Sequence, residues 1–343
     1  YMTISPKYSF LLVLSFLCFN FEIIAKPFES TYEPLPSVNV LIKNANIYDG
    51  EGNELLQTDI LISDRKIAAI GKDLPVTDDF EVIDASGKWV TPGIIDIHSH
   101  MGVYPAPGVR TSSDGNEATS PVTADVWAEH SMWVQDPQYT LALSGGVTAF
   151  HVLPGSANLI GGRGVTVKNL QRVTINSMKF PNAPHSLKMA CGENPKRVYG
   201  NRQQAPSTRM GNIAGYRKAW IEAEAYLDRL NEYESKSDEA KEMSYKPSRD
   251  LELDTLAGVL RGEILVHNHC YRADEMASMI DVAKEFGYKI TAFHHGVEAY
   301  KIADLLAENG ICGALWADWW GFKHEAYDLS LIHISEPTRP IHI

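Results

Sequence analysis

The C-terminal half of the chain alternates short apolar runs with amphipathic segments, and this alternation constrains the fold more than any other feature. Residues 263–270, 288–295 and 311–317 have the length and apolar content of buried strands. The segments between them, 273–287 and 297–310, are amphipathic, and each ends in a glycine suited to a left-handed helix cap. Strands that alternate with helices of this length form parallel β/α units.

The same alternation begins earlier in the chain. Residues 146–155 and 186–193 have the composition of buried strands, and residues 209–245 are for the most part a charged amphipathic helix. On this helix, Trp220 and the other apolar residues at helical spacing are expected to face the core. Residues 37–90 differ, because short β-branched runs broken by Asp-Gly, Gly-Lys and Ser-Gly pairs predict a small β-rich domain of hairpins.

Length, charge and cysteine content exclude several classes of protein. The 343 residues are enough for about two domains, and a hydrophobic fraction of 44% with a charged fraction of 22% is typical of globular proteins. A formal net charge of −12 argues against a nucleic-acid-binding protein, which needs a basic face. Four cysteines do not make a disulfide framework, and no pairing is obvious; Cys191 and Cys270 are expected to be small buried residues rather than nucleophiles.

The strongest chemical signal is a pair of histidines at the end of an apolar run, in the sequence TPGIIDIHSH of residues 91–100. In a strand, residues i and i+2 project from the same face, so the imidazoles of His98 and His100 can be directed at one site. Neutral imidazole is the commonest metal ligand in proteins. Two histidines supply at most half of a metal site, so the other ligands must come from elsewhere in the chain.

A β-rich segment, the sequence PGIIDIHSH and a series of β/α units together resemble the metal-dependent amidohydrolase superfamily, most closely its imidazolonepropionase and prolidase-like branch. The resemblance extends over most of residues 37–328. It implies an α/β fold: a (β/α)8 TIM-type barrel in residues 91–328, beside a small N-terminal β-sandwich-like domain that begins with residues 37–90. Counting units places strand 7 at residues 311–317, so we expect the barrel to be truncated after about strand 7.

The resemblance also implies a metal centre at the C-terminal mouth of the barrel. Four histidines at strand ends match the ligands of the superfamily: His98, His100, His267 and His295. The bridging ligand is ambiguous, because relatives use either a carbamylated lysine on strand 4, here Lys188, or a glutamate at the end of that strand, here Glu193. We favour Glu193. One or two divalent ions are expected, zinc first, although the same ligand types suit manganese, iron and nickel.

The general base is the main gap in the resemblance. The superfamily takes its catalytic Asp from the end of strand 8, and this chain has no counterpart of that strand. Asp318 is the nearest acid on a strand end, but it belongs to strand 7, so the role of base is not assigned to it.

Substrate contacts are expected from residues close to the proposed ligands. Arg163 lies in the glycine-rich segment 161–164, which lacks the spacing and the lysine of a phosphate loop, and it can pair with a substrate carboxylate. Tyr199 and His269 are further candidates, and His269 and His294 are open to either supporting or substrate-facing roles.

The two ends of the chain differ from the rest. The apolar run 10–17 is too short to span a bilayer and matches the hydrophobic region of a signal peptide, which we place at residues 1–26. This predicts a secreted or periplasmic protein without a stable membrane anchor once the signal is removed. Residues 329–343 resemble translated sequencing-adaptor sequence and are expected to be a foreign tail on a fragment.

These observations predict a metal-dependent hydrolase that uses a metal-activated water to cleave a C–N bond in a cyclic or linear amide, or in an Xaa-Pro-like dipeptide. Two alternatives remain open: a non-catalytic amidohydrolase-like scaffold or binding module, and an inactive fragment that lacks the strand-8 Asp. The expected partner is a small-molecule amide or dipeptide and not a nucleic acid. The sequence is also compatible with a homo-oligomer.

Overall fold

The structure is a computed structural model that describes residues 26–75, 77–316 and 323–326. The foreign tail and, except for Lys26, the proposed signal peptide therefore lie outside the described residues, as does Asp318. Within the described ranges, no helix combines the length and apolarity needed to cross a bilayer.

The described residues form a small β domain followed by a larger β/α domain. The strands are β1 Asn39–Tyr48, β2 Glu54–Ser63, β3 Lys66–Gly71, β4 Phe80–Asp84, β5 Trp89–Val90, β6 Ile94–Ser99, β7 Val147–Val152, β8 Ile160–Lys168, β9 Ser186–Ala190, β10 Leu265–His269, β11 Ile290–His294 and β12 Cys312–Ala314. The helices are α1 Gln138–Ser144, α2 Glu193–Gly200, α3 Arg209–Glu234, α4 Asp238–Glu242, α5 Leu251–Leu260, α6 Ala273–Phe286 and α7 Ala303–Glu308.

The small domain is a five-stranded sheet in the order β3-β2-β1-β4, with β5 also paired to β1. β1, β2 and β3 form antiparallel hairpins, whereas β4 and β5 pair with β1 in parallel. The Asp-Gly signal lies in the connection between β1 and β2, where Asp49 Oδ1 accepts hydrogen bonds from the backbone N–H groups of Glu51 and Asn53. The buried core of this sheet consists of Ala45, Ile47, Ile60 and Ala85.

The larger domain is built on a seven-stranded sheet in the order β12-β11-β10-β9-β8-β7-β6. Strands β9 to β12 are parallel to one another, β6 is parallel to β7, and β8 is antiparallel to both of its neighbours. Strands that neighbour in space also follow one another along the chain, as in a TIM-type barrel. The α-helices lie between β6 and β7 and in each connection from β9 to β12. The predicted fold is therefore confirmed, and strand β8 is its one departure from parallel order.

The sequence did not indicate β8 as a strand. The glycine-rich segment 161–164 lies inside this strand rather than in a loop. Gly162 has a φ of +103°, and a Cβ there would collide with the carbonyl oxygen of Val126, so the position requires glycine. Because glycine is depleted in strands in general, the composition of this segment concealed its structure.

The main core lies between the barrel sheet and helices α3, α5 and α6. Trp220 is fully buried, with its ring centroid 4.4 Å from that of Tyr288. The apolar stripe of α3 therefore faces the core as the periodicity predicts, although this helix ends at Glu234 rather than continuing to residue 245. Helix α6 ends as predicted at Gly287, which has a left-handed φ of +72°.

A disulfide connects the C-terminal ends of two barrel strands. Cys191, directly after β9, is bonded to Cys270, directly after β10. Our expectation of separate buried cysteines was wrong, because the two residues are 79 positions apart and only the parallel pairing of β9 with β10 brings their Cα atoms to 5.2 Å. Cys312 is free and exposed in the part of the chain that the structure describes.

Replacing Cys191 by serine should lower the free energy of unfolding by about 2–5 kcal/mol, because the disulfide restricts a long loop of the unfolded chain. The midpoint of urea unfolding measures this loss. A Cys312→Ser variant is the matched control and should unfold at the parent midpoint. An unchanged midpoint for C191S would show that the disulfide contributes nothing to stability.

Strands β6 and β12 are the two ends of the barrel sheet among the described residues. Ile94, Ile95 and Ile97 on β6 are between 52% and 64% exposed, which is unusual for three apolar residues on one short strand. A closed barrel has no free edge, so this surface marks the place where barrel closure is incomplete in the described part of the chain.

Candidate metal centre

Histidines collect at one edge of the barrel sheet. Strands β6, β9, β10 and β11 run in the same direction, so their C-terminal ends meet at one mouth of the barrel. The residues at these ends form a group that we name the histidine cluster: His98, His100, His267, His269, His294 and His295.

Four of these rings are in direct contact through their nitrogen atoms. His98 Nε2 lies 3.3 Å from His100 Nε2, and His98 Nδ1 lies 2.8 Å from His294 Nδ1. His294 Nε2 lies in turn 2.8 Å from His267 Nδ1. At the other end, His100 Nδ1 lies 2.8 Å from the carbonyl oxygen of Leu153, directly after β7. The result is a continuous four-ring chain that connects strands β6, β11 and β10.

The hydrogen-bond partners of the four-ring chain assign its tautomers. The carbonyl of Leu153 can only accept, so the proton of His100 is on Nδ1 and its Nε2 carries a lone pair. His98 Nε2 then donates to His100, His294 Nδ1 donates to His98, and His267 Nδ1 donates to His294. Each contact has one donor and one acceptor, and all four rings are neutral. A lone pair fixed by a hydrogen bond at the other ring nitrogen is how proteins orient a metal-ligating histidine.

Burial keeps these rings uncharged. Burial first, and the positive charge of Lys188 second, lower the pKa of His100 and of His267 to about 4. The same two causes lower the pKa values of His98 and His294 further. The cluster is therefore neutral at physiological pH, and neutral imidazole is the form that binds a metal ion.

Lys188 lies on β9, opposite His267 in the strand register. Its side chain is 1% exposed, and its Nζ has no hydrogen-bond partner. Burial lowers the pKa of this amine to about 7, so a large fraction is neutral at neutral pH. A neutral amine is the nucleophilic form of lysine, which is the form that reacts with carbon dioxide to give a carbamate. Lys188 therefore has the environment that a carbamylated ligand requires.

Glu193, which the sequence favoured as the bridging ligand, is the first residue of α2 and is buried. Its Oε2 accepts a hydrogen bond of 2.8 Å from the backbone N–H of Glu325, and its own backbone N–H donates to Glu325 Oε2 at 2.9 Å. The carboxylate is thus held against residues 323–326. Of the two residues, Lys188 is the one paired in the strand register with a histidine of the cluster, His267.

His295 and His269 lie at the side of the four-ring chain. The ring of His295 lies 4.6 Å from those of His98 and His269 and 4.0 Å from Trp316, measured between centroids. His269 Nε2 lies 3.2 Å from Asn194 Nδ2. Both residues are therefore brought to the cluster, but the direct nitrogen contacts pass through the neighbouring His294.

One histidine beside the cluster was not singled out in the sequence. His151 on β7 is buried, with Nδ1 2.9 Å from Thr166 Oγ1 and Nε2 2.8 Å from Ser186 Oγ. Its ring centroid lies 4.9 Å from that of His267. A lone histidine in an apolar strand gives no signal of its own, and here two hydroxyl groups account for both ring nitrogens. His151 therefore supports His267 by packing against it.

Two predicted substrate-binding residues are not brought to the cluster. Side chains alternate along β8, and the register places Arg163 on the opposite face of the sheet from Lys188. The Arg163 guanidinium lies 4.0 Å from the ring centroid of Trp127, and its Nε donates to Thr255 Oγ1 at 3.1 Å. Tyr199 is buried on α2 and donates its hydroxyl proton to a backbone carbonyl. Both side chains make structural contacts here.

Replacing Arg163 by methionine should lower the free energy of unfolding by about 2 kcal/mol, because the variant loses a hydrogen bond to a charged donor and a cation–π contact. The ratio of KM for a dipeptide to KM for a neutral amide should not change, since the guanidinium faces away from the cluster. Urea unfolding and steady-state kinetics measure the two effects. A selective rise of KM for the dipeptide would restore Arg163 as a substrate ligand.

The donor set fits a metal ion in part. Two histidine nitrogens bound to one tetrahedral zinc at about 2.0–2.1 Å lie about 3.3 Å apart, and His98 Nε2 and His100 Nε2 have this separation of 3.3 Å. Among residues 26–75, 77–316 and 323–326, no group of three or more His, Cys, Asp or Glu side chains converges on one ion position. The lone pair of His294 Nε2 is directed at His267 instead, and Lys188 is a ligand only after carbamylation.

The predicted base from strand 8 has no counterpart in the described part of the chain, where β12 is the last strand. The acid nearest in sequence to the histidine pair is Asp96, on the same face of β6 as His98. Its Oδ1 accepts a hydrogen bond of 3.0 Å from the backbone N–H of His98, and burial raises its pKa. Asp96 therefore fixes the backbone that carries the first ligand.

The sequence is similar to those of curated amidohydrolases. It is 34% identical over 322 residues to amidohydrolase tasK of Hapsidospora irregularis, a match that covers 84% of this chain and 32% of tasK. It is 44% identical over 77 residues to the dihydroorotase of Lactobacillus helveticus, which covers 22% of this chain and 16% of that protein. The chain thus spans a third or less of the length of these relatives. No family model matches it.

A solved structure resembles the chain over most of its length. The crystal structure of an amidohydrolase from Thermotoga maritima has a TM-score of 0.78 and 36% sequence identity, and the match covers 87% of this chain and 75% of that one. A match of this extent must include residues of both domains, so the likeness applies to their combination and not to the barrel alone.

Proposed function

Because this chain belongs to the amidohydrolase superfamily, we propose that it is part of a metal-dependent hydrolase that cleaves a carbon–nitrogen bond with an activated water. The observation that carries this proposal is the four-ring chain of neutral histidines beside the buried amine of Lys188, at the mouth of the barrel. The superfamily places its active site at this mouth, where the strands end.

We place the metal ligands on His98, His100, His267 and carbamylated Lys188, with one further histidine from the end of β11. His294 is the better candidate for that position, because its ring lies between those of His98 and His267. A bound ion would replace one of the two hydrogen bonds that its nitrogens make with them. One or two divalent ions, zinc first, would bind there. When bound, such an ion acts as a Lewis acid toward the substrate carbonyl and toward the attacking water.

The residues of the chain prepare the site in two ways. The carbonyl of Leu153 fixes the tautomer and the orientation of His100, so that its Nε2 carries the lone pair. A metal ion at this atom would replace the proton that His98 Nε2 donates to it. Trp316 covers one side of the cluster, with its ring centroid 5.1 Å from that of His98 and 4.0 Å from that of His295. Proton transfer to the leaving nitrogen belongs to the strand-8 Asp in this superfamily, and that residue is not among those described.

Among the candidate substrates, a cyclic or linear amide fits better than an Xaa-Pro-like dipeptide. A dipeptide has a free carboxylate that needs a cation, and the predicted cation, Arg163, stacks on Trp127 on the other face of the sheet. A neutral amide has no such requirement. The position of Arg163 therefore supports an amide substrate over a dipeptide.

Metal analysis of the full-length protein tests this function against the scaffold alternative. Protein purified from cells supplied with zinc and bicarbonate should contain one or two ions per chain and hydrolyse amides in a substrate screen. A His98→Ala, His100→Ala double variant should lose both properties. The control variant His130→Ala, which removes an exposed histidine, should retain them. A parent protein that folds but takes up no stoichiometric metal would instead be a scaffold.

We also propose that the protein is exported, as the short apolar run near the N-terminus predicts. The disulfide between Cys191 and Cys270 supports this proposal, since disulfides persist in oxidising compartments. The test is N-terminal sequencing of the protein from the native host. Cleavage near Ala25 together with an oxidised disulfide is expected; an intact leader on a cytoplasmic protein with reduced thiols would refute export.

A further inference from the structure

A small cavity lies outside the histidine cluster, between the first turns of α3 and α6 at the end of β9. It has a volume of about 100 Å³, which is enough for an ion with several waters. No histidine lines it. The residues that line it and bear on its chemistry are Cys191, Arg209, Asn212, Tyr216, Asp274 and Glu275.

Two buried oxygen atoms of this lining have no hydrogen-bond partner. Glu275 is 7% exposed and its Oε2 is unpaired, and Asn212 is 2% exposed and its Oδ1 is unpaired. The side chain of Asn212 is held in place by its amide, because Nδ2 donates to the carbonyl of Gly192 at 3.0 Å. Leaving a buried acceptor unsatisfied costs about 1–3 kcal/mol, so two together indicate a missing partner.

Charged side chains of both signs surround the cavity. Arg209 contacts only one oxygen of each of two carboxylates: its Nε lies 3.1 Å from Glu275 Oε1 and its Nη2 lies 3.2 Å from Glu325 Oε1. The Oε2 atoms of both carboxylates face the Cα of Gly192, where a Cβ would meet them. Asp274 lies 3.7 Å from both Arg209 and Arg272, and Lys196 lies 3.9 Å from Glu325. These cations offset the acids, yet none of them is bonded to the Oε2 atom of Glu275. The N-terminal end of α6 offsets part of this charge but supplies no donor to Glu275 Oε2.

We propose that this cavity binds a hard metal cation, with Ca²⁺ as the best-fitting ion, through Glu275 Oε2, Asn212 Oδ1 and the carboxylate of Glu325. Carboxylate and amide oxygens are the ligands that Ca²⁺ takes, and it accepts waters and irregular geometry for the remaining positions. Mg²⁺ requires near-ideal octahedral geometry, which a cleft between two helix ends does not impose. The site is separate from the hydrolytic centre and does not depend on the proposed function.

The bound cation would join three parts of the fold. Glu275 belongs to α6, Asn212 to α3, and Glu325 to the segment that bonds reciprocally with Glu193. The Cys191–Cys270 disulfide, which ends strands β9 and β10, lies at the same place. The cation would therefore stabilise the mouth of the barrel from its outer side. Glu193 lies there, shortly after β9, the strand that carries Lys188.

Calcium titration of the full-length, chelator-treated protein tests the proposal. We expect saturating Ca²⁺ to raise the Tm by about 5 °C, because a ligand that binds only the folded state stabilises it. Glu275→Gln and Asn212→Ala should each lose this shift. Glu285→Gln is the matched control, since Glu285 lies on the same helix but pairs with Arg217 at the surface, and it should respond as the parent does.

Two further measurements keep the proposal testable if a variant does not fold. Terbium luminescence sensitised by Tyr216, which lines the cavity, should appear on the parent and be displaced by Ca²⁺ but not by equal Mg²⁺. The His98→Ala, His100→Ala variant should keep the Ca²⁺ response. The proposal is wrong if the parent shows no shift and no displaceable luminescence up to about 10 mM Ca²⁺, beyond the range of weak extracellular sites. It is also wrong if E275Q responds to Ca²⁺ like the parent. In that case a proton on Glu275, and not a metal ion, would be the missing partner of its Oε2 atom.

Discussion

Replacing Lys188 by methionine should abolish hydrolysis and, in the metal-free protein, increase stability. Methionine has a similar length but cannot form a carbamate, so the site would lose its bridging ligand. We expect kcat/KM to fall by at least about 10²–10³-fold, the loss that follows removal of one preorganised electrostatic group. Stability should rise because the parent buries an amine whose Nζ has no hydrogen-bond partner.

The gain in stability should depend on pH in a defined direction. Burial lowers the pKa of Lys188 from 10.5 to about 7. Between these values the unfolded chain binds more protons at this position than the folded chain does, so the free energy of unfolding of the parent rises with pH across this window. The penalty is fully present below pH 7 and absent above pH 10.5. K188M should therefore exceed the parent most at pH 6–7, by up to several kcal/mol, and least near pH 10.

Thermal unfolding of both proteins after chelation, from pH 6 to pH 10, measures this difference. Lys218→Met is the matched control, because Lys218 is 80% exposed on α3 and should change neither activity nor the pH dependence. The K188M variant should have no activity even when bicarbonate is added. The parent, once dialysed, should need added bicarbonate to regain its activity. An active K188M variant would return the bridging role to Glu193.

Replacing His294 by alanine should lower metal affinity more than replacing His295 does. His294 contacts two other rings of the cluster through its own nitrogens, each at 2.8 Å, so its loss removes both connections at once. We expect the affinity for zinc to fall by more than about 100-fold, beyond the usual cost of losing a hydrogen bond to a ligand. His295→Ala should cost about 10–100-fold, since its ring packs beside the four-ring chain, 4.6 Å from the rings of His98 and His269 between centroids.

Competition with a zinc chelator measures both affinities without relying on activity. His130→Ala is the control for removal of a histidine, because that side chain is 54% exposed and remote from the four-ring chain. His294→Asn provides a check on folding, as its amide can keep one of the two hydrogen bonds. A larger loss for H295A than for H294A would return the strand-6 ligand to the histidine that the sequence favoured.

The sequence assigned the ligand of this strand to His295, and the adjacent pair His294-His295 shows what such an assignment depends on. Both residues follow the same apolar strand, and the resemblance to the superfamily matched the second of them. Which one faces the barrel interior depends on where β11 ends. The structure ends the strand at His294 and gives His295 a left-handed φ of +56°, which turns the second ring out of the strand's alternation. One residue of register thus decides which of two identical side chains continues the alternation of the strand.

Arg163 and the disulfide were misjudged for a related reason. The sequence predicted that Arg163, in the glycine-rich segment 161–164, can pair with a substrate carboxylate. The segment lies in a strand whose register turns the guanidinium to the face opposite Lys188. Cys191 and Cys270 offered no pairing because their separation of 79 residues has no local signature. For Arg163 the deciding factor was that β8 is a strand and runs antiparallel to its neighbours. For the disulfide it was the pairing of β9 with β10, two strands that are far apart in sequence.

The sequence by itself determined the β/α alternation, the small β domain and the histidines at strand ends, because periodicity and the placement of polar residues after apolar runs are local properties of the chain. The tertiary structure alone decided the antiparallel direction of β8 and the order in which the rings of the four-ring chain contact one another. It also decided that the Lys188 amine is buried without a hydrogen-bond partner and that a cavity forms at Glu275. These depend on register and burial. Both are set by the summed packing of strands from separate parts of the chain, and no short stretch of sequence encodes that sum.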